Sequence, residues 1–153
     1  MPNPWGTAIS LAAARTIVVR ALAHARCSDF PPTTVAVLDA AGQLVAFARE
    51  DGSSLLRGRI ARAKARGALN MGVGSRSLAA RAAAHPAFIN SVVALADGDL
   101  VPAAGGVLVR DDDNNVIGAV GASGSLPDDD EACAIHGIAA AGLRADPGTA
   151  DPT

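Results

Sequence analysis

One pattern occurs twice in this chain and limits its fold more than any other feature: two short apolar, β-branched runs separated by a tight polar turn. The first pair is Thr34–Asp39 and Leu44–Arg49, joined by Ala40-Ala41-Gly42-Gln43. The second is Val107–Arg110 and Val116–Ser123, joined by Asp111-Asp112-Asp113-Asn114-Asn115. Such runs with so short a connection predict β-hairpins, and strands joined this way pair antiparallel.

The flanking segments follow helical spacing. From about Thr7 to Cys27, the residues Leu11, Ala14, Ile17, Val18, Ala21, Leu22 and Ala25 recur at three- and four-residue steps, with Ser10 or Thr7 able to cap the helix. Ser28-Asp29-Phe30-Pro31-Pro32 ends it, since two prolines cannot continue a helix. Ile60–Leu69 predicts a helix with Arg59, Arg62 and Arg66 on one face, and Ser77–Ala84 a shorter one. Asp128–Leu143 predicts a last helix with an acidic first turn. Pro86–Ala96 is ambiguous between helix and loop. The order helix, hairpin, helices, hairpin, helix predicts an α/β fold of the α+β kind, a mainly antiparallel sheet with helices on one or both faces.

The 153 residues suit one domain, with a core over about residues 7–144 and a flexible tail over 145–153, where Pro, Gly, Thr and Asp predict fraying from Asp146. Half of the chain is hydrophobic, mostly Ala, Val and Leu, with three Phe, one Trp and no Tyr. Small apolar side chains favour helices lying close on a sheet and also suit subunit interfaces. A net charge of −2 without a basic patch argues against nucleic acid as a partner. No run approaches the roughly 18 apolar residues of a membrane span. Met1-Pro2-Asn3-Pro4-Trp5 lacks the pattern of a secretion signal, and Cys27 and Cys133 form no CxxC pair, so the expected location is cytoplasmic with reduced thiols.

Five segments in order resemble the GlcG/HbpS-like family, a haem-binding or haem-degrading type of domain also found attached to cobalamin adenosyltransferases. They are Val35–Gly52, with its Arg49-Glu50-Asp51-Gly52 ending, Ile60–Ala65, Gly105–Val109, Val116–Gly124 and the helix start Asp128–Ala134. The resemblance covers roughly Thr7 to Leu143. It implies a three-layer sandwich around an antiparallel sheet of about five strands, and a homo-oligomer, a dimer or higher. The chain departs from the family pattern at Ala48, Val107 and His136, where a larger residue, a proline and a small residue are usual.

Several residues carry candidate chemistry. Lys64, among alanines on its helix, would serve as a base or carboxylate binder at a pocket wall; the alternative is a solvated face beside Arg62 and Arg66. Asp130 or Glu131 would be its acid/base partner, although carboxylates at a helix start are stabilised without any function. Arg49 would clamp a carboxylate, or pin its loop to Asp51 or Asp39. The paired glycines Gly105 and Gly106 would let backbone amides approach an anion, or merely form a turn. Ser123 would hydrogen-bond a ligand, or belong only to the loop after its strand. Asp111-Asp112-Asp113 reads as a solvated turn. His24, His85 and His136 form no HxH or HExxH motif, so no metal site is expected; each remains available as an axial haem ligand, and no CxxCH is present for covalent attachment.

These residues support two readings. The first is a small-molecule-binding protein that is a cofactor-free enzyme of hydratase, isomerase or tautomerase type, acting on a small carbonyl or hydroxy acid compound. Lys64, Asp130 and Glu131 would be catalytic, and Arg49, Gly105, Gly106 and Ser123 ligand-binding. The alternative is a haem-binding or haem-sensing module without turnover, in which haem is the cofactor the resemblance admits.

Overall fold

The computed structural model describes residues 8–152. Its elements run α1 (Leu11–Cys27), β1 (Thr34–Asp39), β2 (Leu44–Arg49), α2 (Arg57–Met71), α3 (Ser75–Ala84), α4 (Pro86–Leu95), β3 (Gly106–Arg110), β4 (Val116–Ser123), α5 (Pro127–Ala140) and β5 (Arg144–Asp146). The five strands form one antiparallel sheet in the order β2-β1-β4-β3-β5. Both hairpins therefore exist, and β1 and β4 join them at the centre, with Thr34 opposite Ser123 and Asp39 opposite Gly118.

Alternation along the strands gives the sheet two apolar faces. Val35, Val37, Val107, Val109, Val120 and Ala122 meet α1 and α5 through Ile17, Ala21, Cys133 and Ile138. Leu38, Leu108 and Ala119 point the other way, against Ala65 and Ala68 of α2. Three layers result, as a strand's period of two requires when both faces are covered. The α2 layer lies directly on the strand backbone. A Cβ on Gly121 would sit 1.8 Å from the Ala61 carbonyl oxygen, and one on Gly106 2.3 Å from that of Lys64. The small residues on both sides are what permit this separation.

The two hairpin turns use one device. Asp39 Oδ1 accepts the amides of Ala41 and Gln43, and Asp111 Oδ1 those of Asp113 and Asn115. These Asx turns replace backbone partners that the turn cannot supply. The bonds to Asp111 hold its carboxyl below the usual carboxylate range. Ser10 caps α1 by accepting the Ala13 amide at 3.1 Å; Thr7, the other cap expected from sequence, lies outside the described residues.

The structure resolves one segment that the sequence left open and adds a short strand. Pro86–Leu95 is a helix, with Pro86 in its first turn, where a missing N–H costs nothing. The stretch expected to fray begins inside a strand. Arg144–Asp146 pairs with β3, and Arg110 Nε reaches Asp146 Oδ2 at 2.9 Å. Beyond it, the Thr149 amide donates to Ser77 Oγ at 2.9 Å. A three-residue strand has no readable period, so only the open edge of β3 defines it. Cys27, exposed, and Cys133, buried, are not bonded to each other. Among the described residues, no helix is long and apolar enough to cross a membrane.

Candidate functional site

Lys64 and Asp130 meet at the end of the sheet where α2 and α5 face each other across β3 and β4. Lys64 Nζ lies 3.0 Å from Asp130 Oδ2 and donates to the Ala122 carbonyl at 3.1 Å. The residues are 3% and 1% exposed, so this is a buried ion pair rather than a solvated helix face. The Ser125 amide donates to the other Asp130 oxygen at 2.9 Å. Burial pushes the Asp130 carboxyl above the usual carboxylate range, while the Lys64 ammonium, the Ser125 amide and the Arg57 charge pull it back.

Gly105 makes the pair possible. Its φ is +119°, a conformation that favours glycine. A Cβ there would lie 2.9 Å from Lys64 Nζ, 3.0 Å from the Ala122 oxygen and 3.1 Å from Asp130 Cβ. The neighbouring Gly106 amide donates to Ser75 Oγ at 2.7 Å. In this arrangement the glycine pair admits a lysine side chain and a serine hydroxyl.

The other expected residues surround this pair without joining it. Glu131 is one residue from Asp130 but points to Arg76, whose Nε reaches its two oxygens at 3.1 and 2.9 Å. Arg76 also bonds Asp128. Ser123 is fully buried and accepts from Arg57 Nη1 at 3.2 Å. Arg49, opposite Thr34 at the open edge, is exposed and pairs with neither Asp39 nor Asp51. Arg57, Arg76 and Ser75 were not singled out in the sequence. Each sits near the start of a helix, with no motif to mark it.

The histidines fall in two places. His24 of α1 and His136 of α5 stack with ring centroids 4.6 Å apart, and His24 meets Phe30 edge-on at 6.1 Å. His85 is exposed at the junction of α3 and α4. Cys133 is buried, and burial with nearby Asp130 and Asp129 pushes its thiol up to about 12. Among the described residues, no three His, Cys, Asp or Glu side chains cluster to hold a metal ion.

The chemistry follows from access. A general base must come within hydrogen-bond reach of a substrate proton. The Lys64 ammonium is instead held by a carboxylate and a carbonyl inside the protein, an arrangement that ties two layers together.

Comparison with known proteins agrees with this architecture. A family model described as "haem degrading protein HbpS-like" matches residues 9–139. The structure of PduOC in complex with haem is 24% identical with a TM-score of 0.80, over 89% of this chain and 96% of that one. Protein ORFY of Klebsiella pneumoniae is 21% identical with a TM-score of 0.81, over 93% and 97% of the two chains. HbpS is 25% identical with a TM-score of 0.76, over 91% and 92%. No curated protein matches. A single family match spanning α1 to α5, on a sheet built from the two hairpins seen in the sequence, places this chain in the HbpS-like family.

Proposed function

We propose that this protein is a haem-binding module without turnover. The observation that carries the reading is the family match over residues 9–139, and it is supported by the similar fold of PduOC, solved with haem. The Lys64–Asp130 geometry favours binding over proton-transfer catalysis, because the expected base is buried and already engaged.

The residues present suit haem. A porphyrin fills four positions of its iron, so the protein needs to supply only one or two axial donors, and no three-ligand cluster is required. His85 is the imidazole free of a ring partner among the described residues. It is followed by α4, an apolar helix in which only Ile89 is buried and Phe88 is 60% exposed. Arg81, one turn before His85, has no side-chain partner among the described residues and would meet a propionate. His85 would hold the iron, Phe88 and its neighbours would cover the macrocycle, and Arg81 would pair its carboxylate. When bound, haem supplies an iron centre open to redox change and to a further ligand.

The test is titration of the purified protein with haemin, read at the Soret band. The expected result is a saturable shift that His85→Ala abolishes or moves while His24→Ala and His136→Ala leave it in place. No saturable shift in the unaltered protein overturns the reading. A shift insensitive to His85→Ala overturns the placement.

A further inference from the structure

The molecule carries a second candidate site, at the β2 edge and remote in sequence from His85. Leu44, Phe47 and Leu55 give the apolar lining of an open surface groove of about 400 Å³ between β2 and α2. They are 43%, 42% and 87% exposed, which is high for side chains of this size. Gly58 opens the groove: the tip of the Phe47 ring lies within 3.2 Å of the place a Cβ would occupy, so a side chain at that position would crowd the ring.

Arg49, Arg59 and Arg62 line the same groove. None of the three side chains makes an ion pair or hydrogen bond with the described residues. No acidic residue lines the groove. Carboxylates flank it in separate depressions, Asp97 and Asp99 beside Arg59 and Arg62, and Glu50 and Asp51 beside Arg49; Asp99 is within 4.0 Å of Arg66 and Glu50 pairs with Arg26 at 2.9 Å.

Apolar side chains grouped in one groove suit an aromatic ligand, and the charge selects its occupant. A second copy docked groove to groove by two-fold symmetry would bring the same patch to itself, setting three guanidinium groups against three with no carboxylate in the groove lining. Guanidinium forks match carboxylates, and an aromatic ring favours a flat partner. We infer that the groove formed by Phe47, Leu44 and Leu55 with Arg49, Arg59 and Arg62 binds a flat aromatic carboxylate. The site needs no iron, so it stands independently of the haem reading.

Fluorescence anisotropy of 1-pyrenebutyrate titrated with the full chain tests this, with the uncharged 1-pyrenebutanol as control. Saturable 1:1 binding is expected, at least tenfold tighter for the acid than for the alcohol. The Arg59→Ala/Arg62→Ala double variant should lose at least tenfold in affinity. Both residues are exposed and unpartnered, so the variant retains the fold, checked by circular dichroism. His85→Ala should leave pyrenebutyrate binding intact, and the double variant should leave the Soret shift with equimolar haemin intact, which separates failure here from failure of the haem reading. Equal binding of acid and alcohol, or no effect of the arginine replacements, overturns the inference. So does an oligomer that Phe47→Asp dissociates together with absent pyrenebutyrate binding, because the groove would then be an interface between copies.

Discussion

Replacing Lys64 by methionine tests the central packing device of this fold. The substitution keeps the volume and the apolar stem but leaves Asp130, 1% exposed, without its cation. Removing one partner of a buried ion pair costs about 3–5 kcal/mol, a large share of a stability that for a domain is roughly 5–15 kcal/mol. The cost depends on pH. Burial already raises the Asp130 carboxyl above its ordinary value, and loss of Lys64 raises it further. A carboxyl with a raised folded value binds its proton more tightly when folded, so stability is lost as pH rises from the unfolded value, about 3.9, through the folded one. The deficit of Lys64→Met relative to the unaltered protein is therefore expected to be full near pH 8 and smaller near pH 5, as Asp130 takes up a proton. Asp130→Asn added to Lys64→Met removes the stranded charge and keeps an acceptor for the Ser125 amide, so at least half of the loss should return. Urea denaturation followed by far-ultraviolet circular dichroism at both pH values measures all of this. A Lys64→Met deficit below about 1 kcal/mol near pH 8, within the range of an exposed pair, would refute the argument; a deficit independent of pH, or no recovery in the double variant, would refute its electrostatic part.

Two further outcomes follow from the packing. Gly121→Ala would place a methyl 1.8 Å from the Ala61 carbonyl and force α2 off the sheet; thermal unfolding should show a loss of more than about 3 kcal/mol, the upper end of overpacking costs, and an unchanged midpoint would mean that α2 does not lie where described. Ellman's reagent near pH 8 should modify one thiol in the native protein, the exposed Cys27, and two in denaturant, because Cys133 is buried with its thiol pushed up to about 12; two fast-reacting thiols in the native state would contradict that burial.

The hairpins were legible because a two-residue period and a turn with Gly42 or the Asp111 run are local signals, and the strand limits Thr34–Asp39 and Leu44–Arg49 match the sequence reading. The strand Arg144–Asp146 was not legible, since its pairing depends on the unpaired edge of β3. The site divides in the same way. Sequence brought Lys64 together with Asp130 or Glu131 but offered no way to choose, because adjacent helix residues point about 100° apart. Register decides: Asp130 turns inward to Lys64, and Glu131 turns to Arg76. Lys64 itself stands among alanines and arginines, and only the contact of α2 with Gly106 and Gly121 shows that its face is the buried one.

This placement changes what the conspicuous residues mean. A lysine, a carboxylate and a glycine pair suggested a pocket, but each group answers another inside the protein: Lys64 is received by Asp130 and Ala122, the Gly106 amide by Ser75, and Glu131 by Arg76. No buried side-chain polar atom among the described residues is left without a partner. A site that recruits a ligand through polar groups needs some of them unsatisfied before the ligand arrives, since an internally satisfied group gains little by exchanging one bond for another. The groups that meet this condition lie outside the core: His85 beside the uncovered face of α4, and Arg49, Arg59 and Arg62 around the Phe47 groove. The buried constellation thus ties α2 to α5, and under the two proposals recognition would fall to exposed rings and guanidinium groups, His85 with α4 and the Phe47 groove.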